Sequence, residues 1–134
     1  MTINMKNFKI TKWDPIDGLP PMLYLEGLYD DYEGFRLLLK GKNTADRLVK
    51  IKFESHIGYR NTDESNRLKM LCENPILTSQ WTLFTSNNSD FLEWIIAQSS
   101  DTLDTSKIYI NYIICTPNDI VEVLSAEEPS IEWL

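Results

Sequence analysis

The chain holds one histidine, His56, in a polar segment whose residue types could support hydrolytic chemistry. Ser55 lies directly before it, and Glu54 comes before Ser55. A serine nucleophile needs its histidine base within hydrogen-bond reach, but neighbouring side chains of an extended strand point to opposite faces. The segment therefore favours an edge-strand histidine, and we assign no catalytic residue. An alternative remains open, in which a small enzyme or small-molecule-binding domain has a pocket lined by Glu54, His56, Tyr59 and Arg60.

Neither the clustered acids nor the cysteines of the chain form a metal-ligand pattern. Asp30, Asp31 and Glu33 lack the spacing and the glycine of a calcium loop, and nothing in the sequence would cradle the phosphate that usually completes a magnesium site. Cys72 and Cys115 each lie beside apolar residues, with no second cysteine or histidine at ligand spacing. We therefore expect a solvated turn, two buried reduced thiols, no metal and no cofactor.

Alternating hydrophobic residues in the first half of the chain predict strands. A weak alternation marks a strand at 8–13, and 22–28 is a second extended segment. The acids and glycine of 29–34 predict a turn or loop after it. Apolar residues at every second position of 35–39 and 49–53 then predict an antiparallel hairpin with one solvated face.

Two helices are predicted from capping residues and helical spacing. Asn61 followed three residues later by Glu64 predicts a helix start, and Asn74 with Pro75 predicts its end. Ser89 with Asp90 predicts the cap of a second amphipathic helix. Its apolar stripe consists of Phe91, Leu92, Ile95 and Ile96.

The second half of the chain predicts three further strands. One covers 81–85, and the strongest pair, 108–115 and 120–124, is rich in Ile, Val and Tyr and is joined by a turn at 116–119. This hairpin has almost no charge on its first strand, which predicts burial on both faces. The acidic tail, 125–134, ends in apolar residues that can pack back onto the body.

These elements predict an α+β fold, with a mostly antiparallel β-sheet and two amphipathic helices. All 134 residues, of which 43% are hydrophobic, suffice for a single compact domain. No apolar stretch approaches the ~20 residues that span a bilayer, and Met1 to Lys12 is polar and basic. We therefore expect a soluble, cytoplasmic protein with no membrane partner.

The acidic charge of the chain is concentrated in two segments. The formal net charge is −7; residues 14–33 hold six acidic residues and no basic one, and 74–134 hold nine acidic residues and one basic residue, Lys107. This charge opposes nucleic-acid binding and favours a basic protein partner. Tyrosine, arginine and a tryptophan off the helix stripe are typical of binding surfaces. The candidate partner-binding residues are therefore Asp30, Asp31, Glu33, Tyr59, Arg60, Trp94, Asp101, Asp104, Asp119 and Glu122.

Three stretches of the chain resemble small bacterial immunity proteins associated with polymorphic toxin systems. They are Asp30-Asp31-Tyr32-Glu33-Gly34-Phe35 leading into Leu37-Leu38-Leu39; Phe53 with Tyr59-Arg60 and Asp63-Glu64; and Tyr112-Ile113-Ile114 through Asn118-Asp119 to Val123-Leu124-Ser125 and Glu128-Pro129. The resemblance implies a cytoplasmic, non-enzymatic protein that binds and neutralises a cognate toxin domain, often a basic nuclease. Together with the charge, it makes immunity our first hypothesis for the function.

Overall fold

A computed structural model describes residues 9–43 and 45–134, which form nine strands and two short α-helices. The strands are β1 (Ile10–Lys12), β2 (Tyr24–Asp31), β3 (Gly34–Lys40), β4 (Leu48–Phe53), β5 (His56–Asp63), β6 (Leu83–Ser86), β7 (Ile110–Cys115), β8 (Asp119–Ser125) and β9 (Ser130–Trp133). The helices are α1 (Leu68–Glu73) and α2 (Asp90–Gln98), and single 3₁₀ turns cover Glu64–Asn66 and Pro75–Thr78. The prediction of an α+β fold with mostly antiparallel strands and two helices is confirmed.

The strands form two sheets that pack face to face. The larger sheet has the order β1-β6-β7-β8-β5 and the smaller sheet has the order β2-β3-β4-β9, with antiparallel pairing between all neighbours in the described part of the chain. The core between the sheets is built from β3 and β4 on one side and β7 and β8 on the other. Both helices lie on the opposite face of the larger sheet, where separate apolar clusters hold them.

Side-chain alternation accounts for the packing of the central strands. In β3 every second residue from Phe35 to Leu39 is buried, and β4 repeats the pattern from Val49 to Phe53. The hairpin with one solvated face is thus confirmed. In β8 six of seven residues are buried, as predicted for a strand that is covered on both faces.

β2 extends into the acidic segment that the sequence predicts to be a turn or loop. The strand continues to Asp31, and Gly34 follows the turn with a φ of 105°, which favours glycine. Arg36 on β3 explains the difference, since its Nη1 lies 2.8 Å from Asp31 Oδ1 and its guanidinium lies 4.7 Å from the centre of the Tyr29 ring. Interactions on the solvated face therefore stabilise polar residues in this edge strand.

The first helix begins later than predicted, and the second begins as predicted. β5 continues through Asn61 to Asp63, and the carboxylate of Asp63 caps a 3₁₀ turn instead. At α2, Ser89 Oγ accepts a hydrogen bond of 3.1 Å from Leu92 N, which confirms the predicted cap. The predicted stripe is wrong at its last position, because Ile96 is 43% exposed.

Other parts of the sequence prediction differ in detail. The predicted strand at 8–13 is shorter, and its Phe8 lies outside the described residues. The tail forms β9, which pairs with β4. The prediction of two buried thiols is wrong for Cys72, which lies exposed on α1. Of the helices in the described part, none is long and apolar enough to cross a membrane.

Candidate functional site

Strand register brings four connections to one end of the two packed sheets. Phe35, at the start of β3, pairs with Phe53 at the end of β4 and stacks on His56 at the start of β5. His56 pairs with Ser125 at the end of β8, and Ser125 pairs with Ile110 at the start of β7. The β2–β3, β4–β5, α2–β7 and β8–β9 connections therefore meet at this end.

These four connections carry six exposed carboxylates and one basic residue, Lys107. We call this surface the acidic end. The two closing residues of β2, Asp30 and Asp31, are also exposed there. The sheet topology thus places part of the acidic segment 14–33 close to part of the acidic segment 74–134. The six carboxylates are those of Glu33, Glu54, Asp101, Asp104, Glu127 and Glu128.

Local hydrogen bonds hold several of these carboxylates in place. A hydrogen bond from the Arg36 side chain lowers the pKa of Asp31 below its usual value. The hydroxyl and backbone N–H of Ser106 do the same for Asp104, with the side-chain bond as the larger cause. Both acids therefore stay charged to a lower pH than an isolated aspartate.

Trp94 lies on the outer side of α2, one turn before the connection to β7 begins. Its side chain is 57% exposed, and its ring stacks on Phe91 with 6.3 Å between centres. The sequence places Trp94 off the apolar stripe, and the structure agrees with that placement. A large aromatic side chain in this position adds apolar contact area beside the acidic end.

Asp119 and Glu122 do not belong to the acidic end. Asp119 begins β8 after the turn from Thr116, at the opposite end of the sheets. Glu122 is fully buried, and its side chain points toward the helices because it is the residue opposite Arg60 across the β5–β8 pair. The prediction of Glu122 as a surface acid is therefore corrected by the alternation of β8.

The four residues of the predicted pocket do not converge. Tyr59 points into the core between the sheets, with its ring stacked 4.5 Å from Phe35, while Arg60 points to the helix side of β5. His56 stacks on the same Phe35 ring. Glu54 is exposed and lies 3.7 Å from Lys52. The prediction of one shared pocket is wrong, because Tyr59 and Arg60 occupy successive positions of a strand.

A different cleft lies on the larger sheet between α1 and the start of α2, with a volume of about 360 Å³. Glu122 lies at its floor, where Oε1 accepts a hydrogen bond of 2.5 Å from Arg60 Nε and forms an ion pair with Arg67 Nη2 at 2.9 Å. Its Oε2 accepts a hydrogen bond of 3.0 Å from Asn111 Nδ2. Burial opposes the charge on Arg60, but the contacts with Glu122 and Asp90 outweigh it and raise the pKa of Arg60.

Sequence reasoning missed Arg67, Asn111 and the cleft itself. A local signal exists for the floor, since Asn111 and Glu122 are single polar residues inside strongly apolar strands. Buried polar side chains of this kind need partners, which points to a polar network. The partners come from β5 and from the N-cap position of α1, which the sequence alone does not place beside β7 and β8. In comparisons with protein-family models, curated proteins and solved structures, no match to this chain was found.

Proposed function

We propose that this chain is a non-enzymatic protein-binding protein that uses the acidic end to bind a basic partner. The observation that carries the proposal is the meeting of six exposed carboxylates from four connections that hold one lysine, with Glu33 and Glu54 paired to Arg36 and Lys52 of the adjoining strands. In its most specific form, the protein is a cytoplasmic immunity protein that binds and neutralises a cognate toxin domain of the basic, nuclease type. This form rests on the charge and on the sequence resemblance described above.

The carboxylates and the aromatic side chain contribute to different steps of binding in such a complex. The carboxylates attract a basic partner over a distance and raise the association rate, an effect that salt weakens. Trp94, next to them on α2, supplies contact area that is buried on binding and slows dissociation. A nuclease whose basic nucleic-acid surface is covered in this way loses access to its substrate.

A charge-matched comparison tests the acidic end. One variant carries Asp101→Asn, Asp104→Asn, Glu127→Gln and Glu128→Gln, and the control removes the same number of charges elsewhere. The unaltered chain and the two variants are used to capture partners from the native host, followed by mass spectrometry. The control changes are Asp14→Asn, Asp17→Asn, Glu26→Gln and Glu132→Gln, all at exposed positions.

We expect a basic protein that the unaltered chain and the control variant retain and that the acidic-end variant loses. Its association rate, measured with the purified pair, should fall steeply as salt is added. The proposal fails if the retained proteins are the same for both variants, or if the partner that depends on the acidic end is itself acidic. Inhibition of that partner's toxicity in cells separates immunity from binding alone.

A further inference from the structure

The charges that line the cleft are balanced among themselves. Three cations and three anions lie there, and each cation has an anion within 3.3 Å. A ligand with a net charge would disturb this balance, whereas an uncharged ligand would not. The pairs are Arg60 with Asp90, Arg67 with Glu122 and Lys69 with Glu73.

Asn111 presents an acceptor that lacks a donor. Its Nδ2 donates to Glu122 Oε2, which fixes the orientation of the amide, because the reverse orientation would place two oxygens against each other. The other atom, Oδ1, is buried and has no hydrogen-bond partner within residues 9–43 and 45–134. A buried acceptor without a donor lowers the stability of the folded chain. A ligand that donates a hydrogen bond to this atom removes that loss of stability, and this favours its binding.

Donors and apolar contacts complete the cleft. Within the described residues, the hydrogen bonds of Arg60 use Nε and Nη2 and none uses Nη1, and the guanidinium also lies 4.6 Å from the centre of the Phe91 ring. Ile10, Met70 and Ile113 supply an apolar wall. Asn111 Oδ1 is closed to solvent, so a ligand reaches this atom only when a neighbouring side chain moves.

We propose that this cleft binds an uncharged amide, as a carboxamide or a lactam. Such a group donates and accepts at neighbouring atoms, and the acceptor Asn111 and the donor Arg60 are both held by the Glu122 carboxylate, one at each oxygen. Its apolar body packs against the wall of Ile10, Met70 and Ile113. This binding does not depend on the acidic end, since the cleft is lined by other residues.

A series of ligands with one common ring tests the required chemistry on the unaltered protein. Benzamide donates and accepts, N,N-dimethylbenzamide only accepts, and benzoate is an anion without a donor. Titration is followed by ¹⁵N NMR of the Asn111 side-chain amide and the Nε–H of Arg60 and Arg67. We expect benzamide to shift these signals with a dissociation constant of about 1 mM, a reasonable affinity for so small a ligand. The other two compounds should bind at least about tenfold more weakly, the value of one hydrogen bond.

The proposal is overturned if benzoate binds as well as benzamide does, and failure of benzamide means no shift of these signals at about ten times that concentration. A peptide with a central glutamine, compared with its glutamate counterpart, distinguishes the source of the amide. Preference for the glutamine peptide over benzamide assigns the cleft to a side chain of a protein partner, and the reverse assigns it to a small molecule. Failure of both series also overturns the proposal.

A pair of variants adds a test at the level of the residue. Asn111→Leu removes the acceptor, and Asn118→Leu makes the same change in an exposed turn. We expect benzamide binding to be lost in the first variant and kept in the second. Equal binding by both folded variants overturns the assignment of Asn111. If Asn111→Leu does not fold, the ligand series on the unaltered protein decides.

Discussion

Glu122→Gln should lower the free energy of unfolding by about 2–3 kcal/mol. Glutamine keeps the shape of the side chain but removes the buried charge that faces Arg60 and Arg67 at 2.5 and 2.9 Å. Removing one partner of a buried ion pair costs about 3–5 kcal/mol. The loss here is smaller because Arg60 keeps Asp90 at 3.1 Å and Arg67 keeps Thr62 at 3.2 Å.

Glu132→Gln is the matched control for this substitution. Glu132 on β9 lies 3.1 Å from Lys50, but its side chain is 59% exposed, so that the same change should cost less than about 1 kcal/mol. Urea unfolding at pH 7 measures both variants, with the slope checked for constancy. If the two variants lose equal stability, the buried carboxylate does not hold the two arginines as we infer.

Three further predictions concern a cap, a carboxylate and the two thiols. Ser89→Ala should lower the free energy of unfolding by about 1 kcal/mol in urea unfolding, because Leu92 N loses its capping oxygen; an unchanged midpoint would contradict this. Because Arg36 lowers the pKa of Asp31 in the folded state, the stability from this group is present above its unfolded pKa and is lost as pH falls through the folded pKa. Acid unfolding should therefore be less steep for Asp31→Asn, and an identical curve would contradict it. A thiol reagent at pH 8 should modify Cys72 at once and Cys115 only on unfolding, because burial raises the pKa of Cys115 to about 11; modification of both at equal rates would exclude this.

Local pattern was sufficient to predict those elements whose partners are near in sequence. The alternation of β3 and β4 determines which face of each strand is buried, and the two strands pair across one short connection. The cap at Ser89 acts on an amide three residues away. In both cases the stabilising contact lies within the segment that the pattern covers.

The candidate site was harder to predict because its contacts join distant segments. The sequence predicts Glu122 as a surface acid, since a carboxylate is normally solvated, but its partner Arg60 lies 62 residues earlier in the chain. Glu33 and Glu127 lie at the same end of the packed sheets because of the strand order within each of the two sheets. The acidic residues of the sequence therefore predict a negatively charged surface, but the strand order of the two sheets determines which carboxylates lie on it.

The interleaving of the two sheets along the chain has a consequence for folding. β1 at Ile10 pairs with Ser86, and β4 at Val49 pairs with Trp133, so neither sheet forms from one continuous stretch of chain. Pairings between such distant residues require long loops to close first, which slows folding to the millisecond-to-second range. Hydrogen-bonded amides of the central strands β3, β4, β7 and β8 should consequently exchange with solvent through the same global opening.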